Sequence, residues 1–122
     1  MRSPYKSTNG FSRLANALRY SMKGFESAFR HESAFRQEVA IITVLFPIAL
    51  WIGRDFIEIA ILIGSLIFVL TVELLNSAIE ALADAVTLKE HPLIGRAKDL
   101  GSAAVLLSIT LATLVWLAVI FQ

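Results

Sequence analysis

Glu73, Asn76, Glu80 and Asp84 follow one another at steps of three, four and four residues. At about 100° per residue, those steps keep the four side chains within about 60° of one line along a helix. The stretch that carries them, 56–85, begins as an apolar run long enough to cross a bilayer, so one face of an expected membrane helix is acidic. A carboxylate at the bilayer centre costs about 2.5 to 3.5 kcal/mol on insertion scales, and charges in such places mark working sites. More charge gathers around the other apolar runs: Glu32 and Glu38 before the first, then Lys89, Arg96, Lys98 and Asp99 around the third. Carboxylates beside cations suit magnesium and phosphate. Magnesium is commonly held by one or two carboxylates together with substrate phosphates. Phosphoryl transfer asks a protein to position the groups, neutralise developing charge and supply a base for the attacking hydroxyl.

Several of these charges also have a purely structural use. Asp84 can cap the polar end of its helix, Glu32 and Arg36 form an i, i+4 pair, and Arg96 with Lys98 satisfies the bias of basic residues toward the cytoplasm. Glu73 has apolar residues on both sides and no such use. If its helix enters the membrane near Phe56 and rises about 1.5 Å per residue, a core of about 30 Å ends near Asn76. Glu73 then lies just inside the cytoplasmic boundary, within reach of a lipid hydroxyl at the glycerol level. Glu80 lies about 10 Å further toward water, where a metal-bound triphosphate would arrive.

The elements that must position these residues are helices in a membrane. Of 122 residues, 57% are hydrophobic, too many for a soluble domain of this size. The apolar run 39–52, extended by the turn 35–38, predicts a first span at 35–53, bent at Pro47. A second span is expected at 56–85 and a third at 98–121, with Trp116 near the far end of the third, as interfacial aromatics are. Seven Lys and Arg residues precede the apolar run 39–52, Arg54 alone lies between it and the second, three lie between the second and the uncharged run 102–121, and none follows. This asymmetry predicts a multi-pass protein with its N-terminus and second loop in the cytoplasm and its C-terminus on the opposite side. No secretory leader is expected. Before the first span, Phe11, Leu14, Leu18, Met22, Phe25 and Phe29 recur at helical spacing among Arg13, Arg19, Lys23 and Arg30. They predict an amphipathic surface helix over about 9–33, lying in the interface with its apolar side down. The whole chain, 1–122, reads as a single membrane-embedded domain.

Other chemistries find no support. There is no cysteine, which excludes disulfides and thiolate catalysis. The stretch Gly95-Arg96-Ala97-Lys98-Asp99-Leu100-Gly101-Ser102 lacks the Gly-Lys-Ser/Thr ending of a P-loop, and no Gly-x-Gly-x-x-Gly turn occurs. His31 and His91 lack metal-ligand spacing, and nothing points to nucleic acid.

Three stretches carry a family resemblance: Glu32-Ser33-Ala34-Phe35-Arg36-Gln37-Glu38, Val72-Glu73-Leu74-Leu75-Asn76-Ser77-Ala78-Ile79-Glu80, and Gly95-Arg96-Ala97-Lys98-Asp99-Leu100-Gly101-Ser102. In order and spacing the chain resembles the prokaryotic integral-membrane diacylglycerol kinases from Gly10 to Trp116. The resemblance implies a homotrimer in the bacterial inner membrane, each subunit with a surface helix and three transmembrane helices. It implies an ATP-dependent phosphotransferase that converts diacylglycerol to phosphatidate with magnesium. By motif, Glu73 resembles the catalytic base, assisted by Asn76, and Glu32 and Glu80 the metal ligands. Arg13, Tyr20, Glu32, Glu80, Lys89, Glu90, His91, Lys98 and Asp99 resemble the nucleotide-binding positions. The lipid-binding set implied is Arg13, Ala17, Leu18, Arg19, Tyr20, Ser21, Met22, Glu26, Ser27, Ala28, Phe29, Ala34, Phe35, Arg36, Gln37, Glu38, Trp51, Ile59, Glu73, Ser102 and Trp116. Met22 and Phe29 stand where tryptophans are common in the family, and both remain apolar.

Three other readings fit parts of the pattern. A kinase for undecaprenol would share the same motifs, because that lipid also presents one primary hydroxyl at the interface. A small oligomeric ion or proton carrier would also use intramembrane carboxylates, although Arg96 and Lys98 at its mouth would oppose a cation. A helix-packing subunit would use the small residues Gly101, Ser102, Ala103 and Ala104.

Overall fold

The computed structural model describes residues 9–122. They form four helices, α1 (Gly10–His31), α2 (Ser33–Ile52), α3 (Phe56–Val86) and α4 (Pro92–Ile120). The all-helical expectation holds, and α2, α3 and α4 are each long and apolar enough to cross a membrane. Arg2 and Lys6, which contribute to the charge asymmetry of the N-terminus, lie outside the described residues. The chain divides into two compact units, Met1–Ser33 and Ala34–Gln122.

In the first unit, Asn9 starts α1 from an extended backbone. Its side-chain oxygen accepts from Ser12 N at 2.6 Å, which satisfies one of the donors left over at a helix start, and its carbonyl accepts the first regular helix bond, from Arg13 N at 3.0 Å. At the other end Glu32 leaves helical geometry while its N–H donates to Ala28 O at 2.9 Å. Polar side chains serve one another along the helix: Arg30 pairs with Glu26 at 3.1 Å, and the Lys23 ammonium sits 5.8 Å from the Tyr20 ring centroid. Phe11, Leu14, Leu18, Met22, Phe25 and Phe29 are all exposed.

The second unit is built on α3 and α4, which pack along each other. At one end the core joins all three of its helices, through Ala49 of α2, Leu62 of α3 and Val119 of α4, with Ile52, Ile63, Val115 and Trp116 against them. The α2 to α3 turn is tight because residue 53 has no side chain: a Cβ there would overlap Ile59 Cγ1 and come within 3.0 Å of Ala49 O. Asp55 then caps α3 by accepting from Glu58 N at 2.8 Å, while Glu58 Oε1 accepts from Arg54 N at 3.0 Å. Polar groups inside the apolar helices find acceptors close by. Thr43, Thr71, Thr110 and Thr113 donate to carbonyls one turn back, and Trp116 Nε1 donates to Ser65 Oγ at 3.1 Å.

Two helices extend beyond the spans read from the sequence. α2 starts at Ser33 and continues through Pro47 as one helix. α4 starts at Pro92, ahead of the span expected from residue 98, because His91 Nδ1 accepts from Leu93 N at 3.2 Å and Pro92 takes a first-turn position where its missing N–H is not needed. Arg96, Lys98 and Asp99 therefore stand on helical turns, where their spacing fixes which side of α4 each occupies.

Candidate active site

The four residues of the acidic stripe all lie on α3, so the helix expected from their spacing exists. Their surroundings differ along its length. Glu73 is 5% exposed, and Asn76, one turn on, is half-buried. Glu80, two turns beyond Glu73, is half-buried, and Asp84 is exposed. Burial thus falls from Glu73, through Asn76 and Glu80, to Asp84 toward the α3 to α4 loop.

Each neighbouring helix adds something to this stripe. From α2, Glu38 comes near enough to Glu73 for the two acidic groups to act on each other. From α4, Gly101 approaches so closely that a Cβ there would overlap Asn76 Oδ1. Further along α4, Lys98 Nζ donates to Asp84 Oδ1 at 2.7 Å. Two oxygens in this group, Glu38 Oε2 and Asn76 Oδ1, are buried and accept no hydrogen bond. An acceptor left unmade in this way costs about 1 to 3 kcal/mol, so the cluster is assembled at the expense of stability.

Beyond Asp84 the connection between α3 and α4 forms a polar cleft of about 570 Å³, lined among others by Thr87, Lys89, Glu90, His91 and Lys98. Thr87 Oγ1 accepts from Lys89 N at 3.0 Å, which shapes the turn, and His91 is held by its cap to Leu93. Asp99 lies next to Lys98 on α4 and is exposed.

Among the described residues, no three acidic or histidine side chains gather into a cluster able to hold a metal by themselves. Glu80 is a carboxylate that accepts no hydrogen bond from another described residue, and Glu32 is half-buried at the C-terminal cap of α1. Hard carboxylate oxygens of this kind suit a magnesium ion that takes its remaining ligands from phosphates and water.

The structure brings Glu73, Asn76 and Glu80 onto one face and adds Glu38, with Lys98 tied to the same helix at Asp84. Arg13, Tyr20 and the other α1 residues of the implied nucleotide and lipid sets lie in the first unit, as does Glu32. The remaining lipid set divides. Ala34, Phe35, Arg36, Gln37 and Glu38 form the start of α2, and Ser102 follows Gly101. Trp51, Ile59 and Trp116 lie at the opposite end of the unit, with Trp51 83% exposed and Trp116 on the core around Ala49. Ile59 is 14 residues from Glu73 along α3, a rise of about 21 Å. The same lipid could touch both groups only with its headgroup at one and its acyl chain at the other.

Two relationships had no signal in the sequence. The meeting of Glu38 with Glu73 and the approach of Gly101 to Asn76 depend on how α2 and α4 are rotated against α3, and no spacing within one helix encodes that.

A family profile described as Prokaryotic diacylglycerol kinase matches residues 19–120. A diacylglycerol kinase of Pseudomonas aeruginosa is 46% identical over 118 residues, which is 97% of this chain and 96% of that one. The diacylglycerol kinase of Escherichia coli K12 is 47% identical over 109 residues, 89% of each chain. That of Haemophilus influenzae is 41% identical over 117 residues, 96% of this chain and 98% of its own.

Proposed function

This chain belongs to the prokaryotic diacylglycerol kinase family, whose members are lipid kinases, and we propose from that premise that it transfers the terminal phosphate of magnesium ATP to the primary hydroxyl of diacylglycerol, giving phosphatidate at the cytoplasmic face of the inner membrane. Family membership displaces the carrier and packing-subunit readings. Within the family, the observation that carries the proposal is the burial of Glu73 one turn from Asn76 and two turns from the more accessible Glu80. This is the order in which a lipid hydroxyl coming from the bilayer and a triphosphate coming from water would meet α3.

In this reading Glu73 is the base. Its carboxylate takes the proton of the lipid hydroxyl as that oxygen bonds to the terminal phosphorus, and the bond from that phosphorus to the bridging oxygen breaks to release ADP. Asn76 sets the geometry beside it. Glu80 and Glu32 would hold magnesium, which when bound neutralises charge on the phosphates. Lys98, Asp99, Lys89, Glu90 and His91, with Arg13 and Tyr20, would hold the nucleotide. The acyl chain would extend along the membrane-spanning helices toward Trp116, Ile59 and Trp51, of which Ile59 is about 20 Å from the base along α3.

The rest of the architecture follows from the same reading. The exposed apolar row of α1 would lie in the interface as an amphipathic surface helix. The exposed apolar faces of α2, α3 and α4 would meet lipid and the other subunits of a homotrimer. The N-terminus and the α3 to α4 loop would be cytoplasmic, and Gln122 would lie across the membrane.

The test is transfer itself. Purified protein in mixed micelles, given magnesium and ATP labelled in its terminal phosphate, is offered diacylglycerol and undecaprenol separately. Label in phosphatidate supports the proposal. Label only in undecaprenyl phosphate would reassign the substrate, and label in neither would remove the kinase activity from this chain.

A further inference from the structure

Asp84 is the one member of the acidic stripe to which the proposed reaction gives no task, and its place on α3 is a poor one for a carboxylate. It stands in the last turn, where the helix dipole is negative and a second negative charge is unfavourable. It does not cap that end either: the capping bond runs from Thr87 N to Ala83 O at 3.1 Å. What Asp84 does hold is Lys98, whose Nζ donates to Asp84 Oδ1 at 2.7 Å across the gap from α4 to α3.

This ion pair is not needed to join the two helices. Both side chains are well exposed, and a pair of that kind contributes little to stability. One turn along α4 from Lys98, Gly101 already fixes the approach of the helices by standing against Asn76, and Ala83 is buried beside Asp84. Lysine, by contrast, is a point charge on a flexible four-carbon stem, and it meets a phosphate reliably only when something aims it. Of the two residues, only Lys98 lines the polar cleft at the α3 to α4 connection. Its ammonium has three donors, and the bond to Asp84 uses one.

Resting on the reading of Lys98 as a nucleotide ligand, we propose that Asp84 is the positioning residue of that lysine: its carboxylate holds the ammonium against α3, one turn beyond Glu80, with two donors left for phosphate oxygens. The arrangement has a consequence of sign. With the ammonium in place, the Asp84 charge is neutralised where the phosphates arrive. With the ammonium removed, the same carboxylate repels them.

A double-mutant cycle on the full-length chain in mixed micelles tests this, with kcat, separate KM values for magnesium ATP and diacylglycerol, and thermal melting read on each variant. Asp84→Ala should lower kcat/KM for magnesium ATP by about tenfold, as misplacement of a binding group does, with the KM for diacylglycerol and the melting temperature close to the parent values. Asp84→Asn keeps the size and an acceptor, and should lie between the parent and the alanine variant. In a Lys98→Met background, Asp84→Ala should cause no further loss, or should restore part of the nucleotide affinity. Parent-like magnesium ATP kinetics in Asp84→Ala would overturn the proposal. So would a loss of equal size in the Lys98→Met background, or a loss spread over both substrates that follows a fall in melting temperature. If the alanine variant does not fold, the asparagine variant is carried through the same cycle, where a loss that needs Lys98 supports the proposal and any other result overturns it. Lys98→Met alone separates the two levels: unchanged nucleotide kinetics there would withdraw the nucleotide role of Lys98 itself, whereas a loss there without one in Asp84→Ala would withdraw only the positioning.

Discussion

Gly101 of α4 stands directly against Asn76 of α3, so that a Cβ at residue 101 would overlap Asn76 Oδ1 and lie 3.3 Å from its Cγ. Asn76 is the residue one turn from Glu73 on the acidic face, and its Oδ1 is buried without a donor. The backbone of α4 is therefore the wall against which Asn76 is set. The atoms a Cβ would meet belong to a side chain, not to backbone, so a larger residue at 101 displaces Asn76 before it separates the helices.

Gly101→Ala should accordingly separate stability from activity. Its melting temperature should stay close to that of the parent, while kcat falls by on the order of tenfold or more because Asn76 is turned away from Glu73. The check is a melt and a steady-state assay on the same preparation. Equal kcat in parent and variant would mean that the position of Asn76 does not matter to the reaction.

Glu80→Gln and Glu32→Gln should act on the nucleotide and not on the lipid. Each removes a hard oxygen charge that a magnesium ion would use, so the magnesium concentration needed for half-maximal rate should rise and the KM for ATP with it, the KM for diacylglycerol staying put. Magnesium titrations of both variants that overlay the parent would rule out the metal assignment.

The helices were legible in the sequence because each is announced locally. The apolar runs mark the spans, the recurrence from Phe11 to Phe29 marks α1, and the step pattern from Glu73 to Asp84 fits one face of a helix. The start of α4 was not, since the charges of residues 96–99 look like a loop until His91 and Pro92 are recognised as its cap and first turn. The candidate site was legible along α3 and illegible across it. Glu38 carries a charge at the head of an apolar run, which by itself reads as a residue facing the membrane surface, and Asp84 reads as a helix-end charge while Lys98 reads as part of the basic bias of the cytoplasmic side. Their partners come from other helices, at sequence separations that depend on helix rotation and crossing, which only packing decides.

If sites are shared between subunits of a trimer, inactive chains should repair one another. Glu73→Ala and Arg13→Ala, each inactive alone, should regain partial activity when mixed in detergent and allowed to exchange, because some sites then receive an intact α3 from one chain and an intact α1 from another. Mixed oligomers proven by differential tagging, yet no more active than either parent, would place each site within one chain.

In the proposed reaction the buried carboxylate of Glu73 removes the proton from the lipid hydroxyl. The most direct measurement of that step is the turnover of Glu73→Gln in diacylglycerol mixed micelles at saturating magnesium ATP, alongside nucleotide binding and oligomeric state. Glutamine preserves the size of the side chain and cannot accept the proton, so turnover should drop by about 10²- to 10⁴-fold with nucleotide affinity and assembly intact. Turnover within a few-fold of the parent would contradict the account.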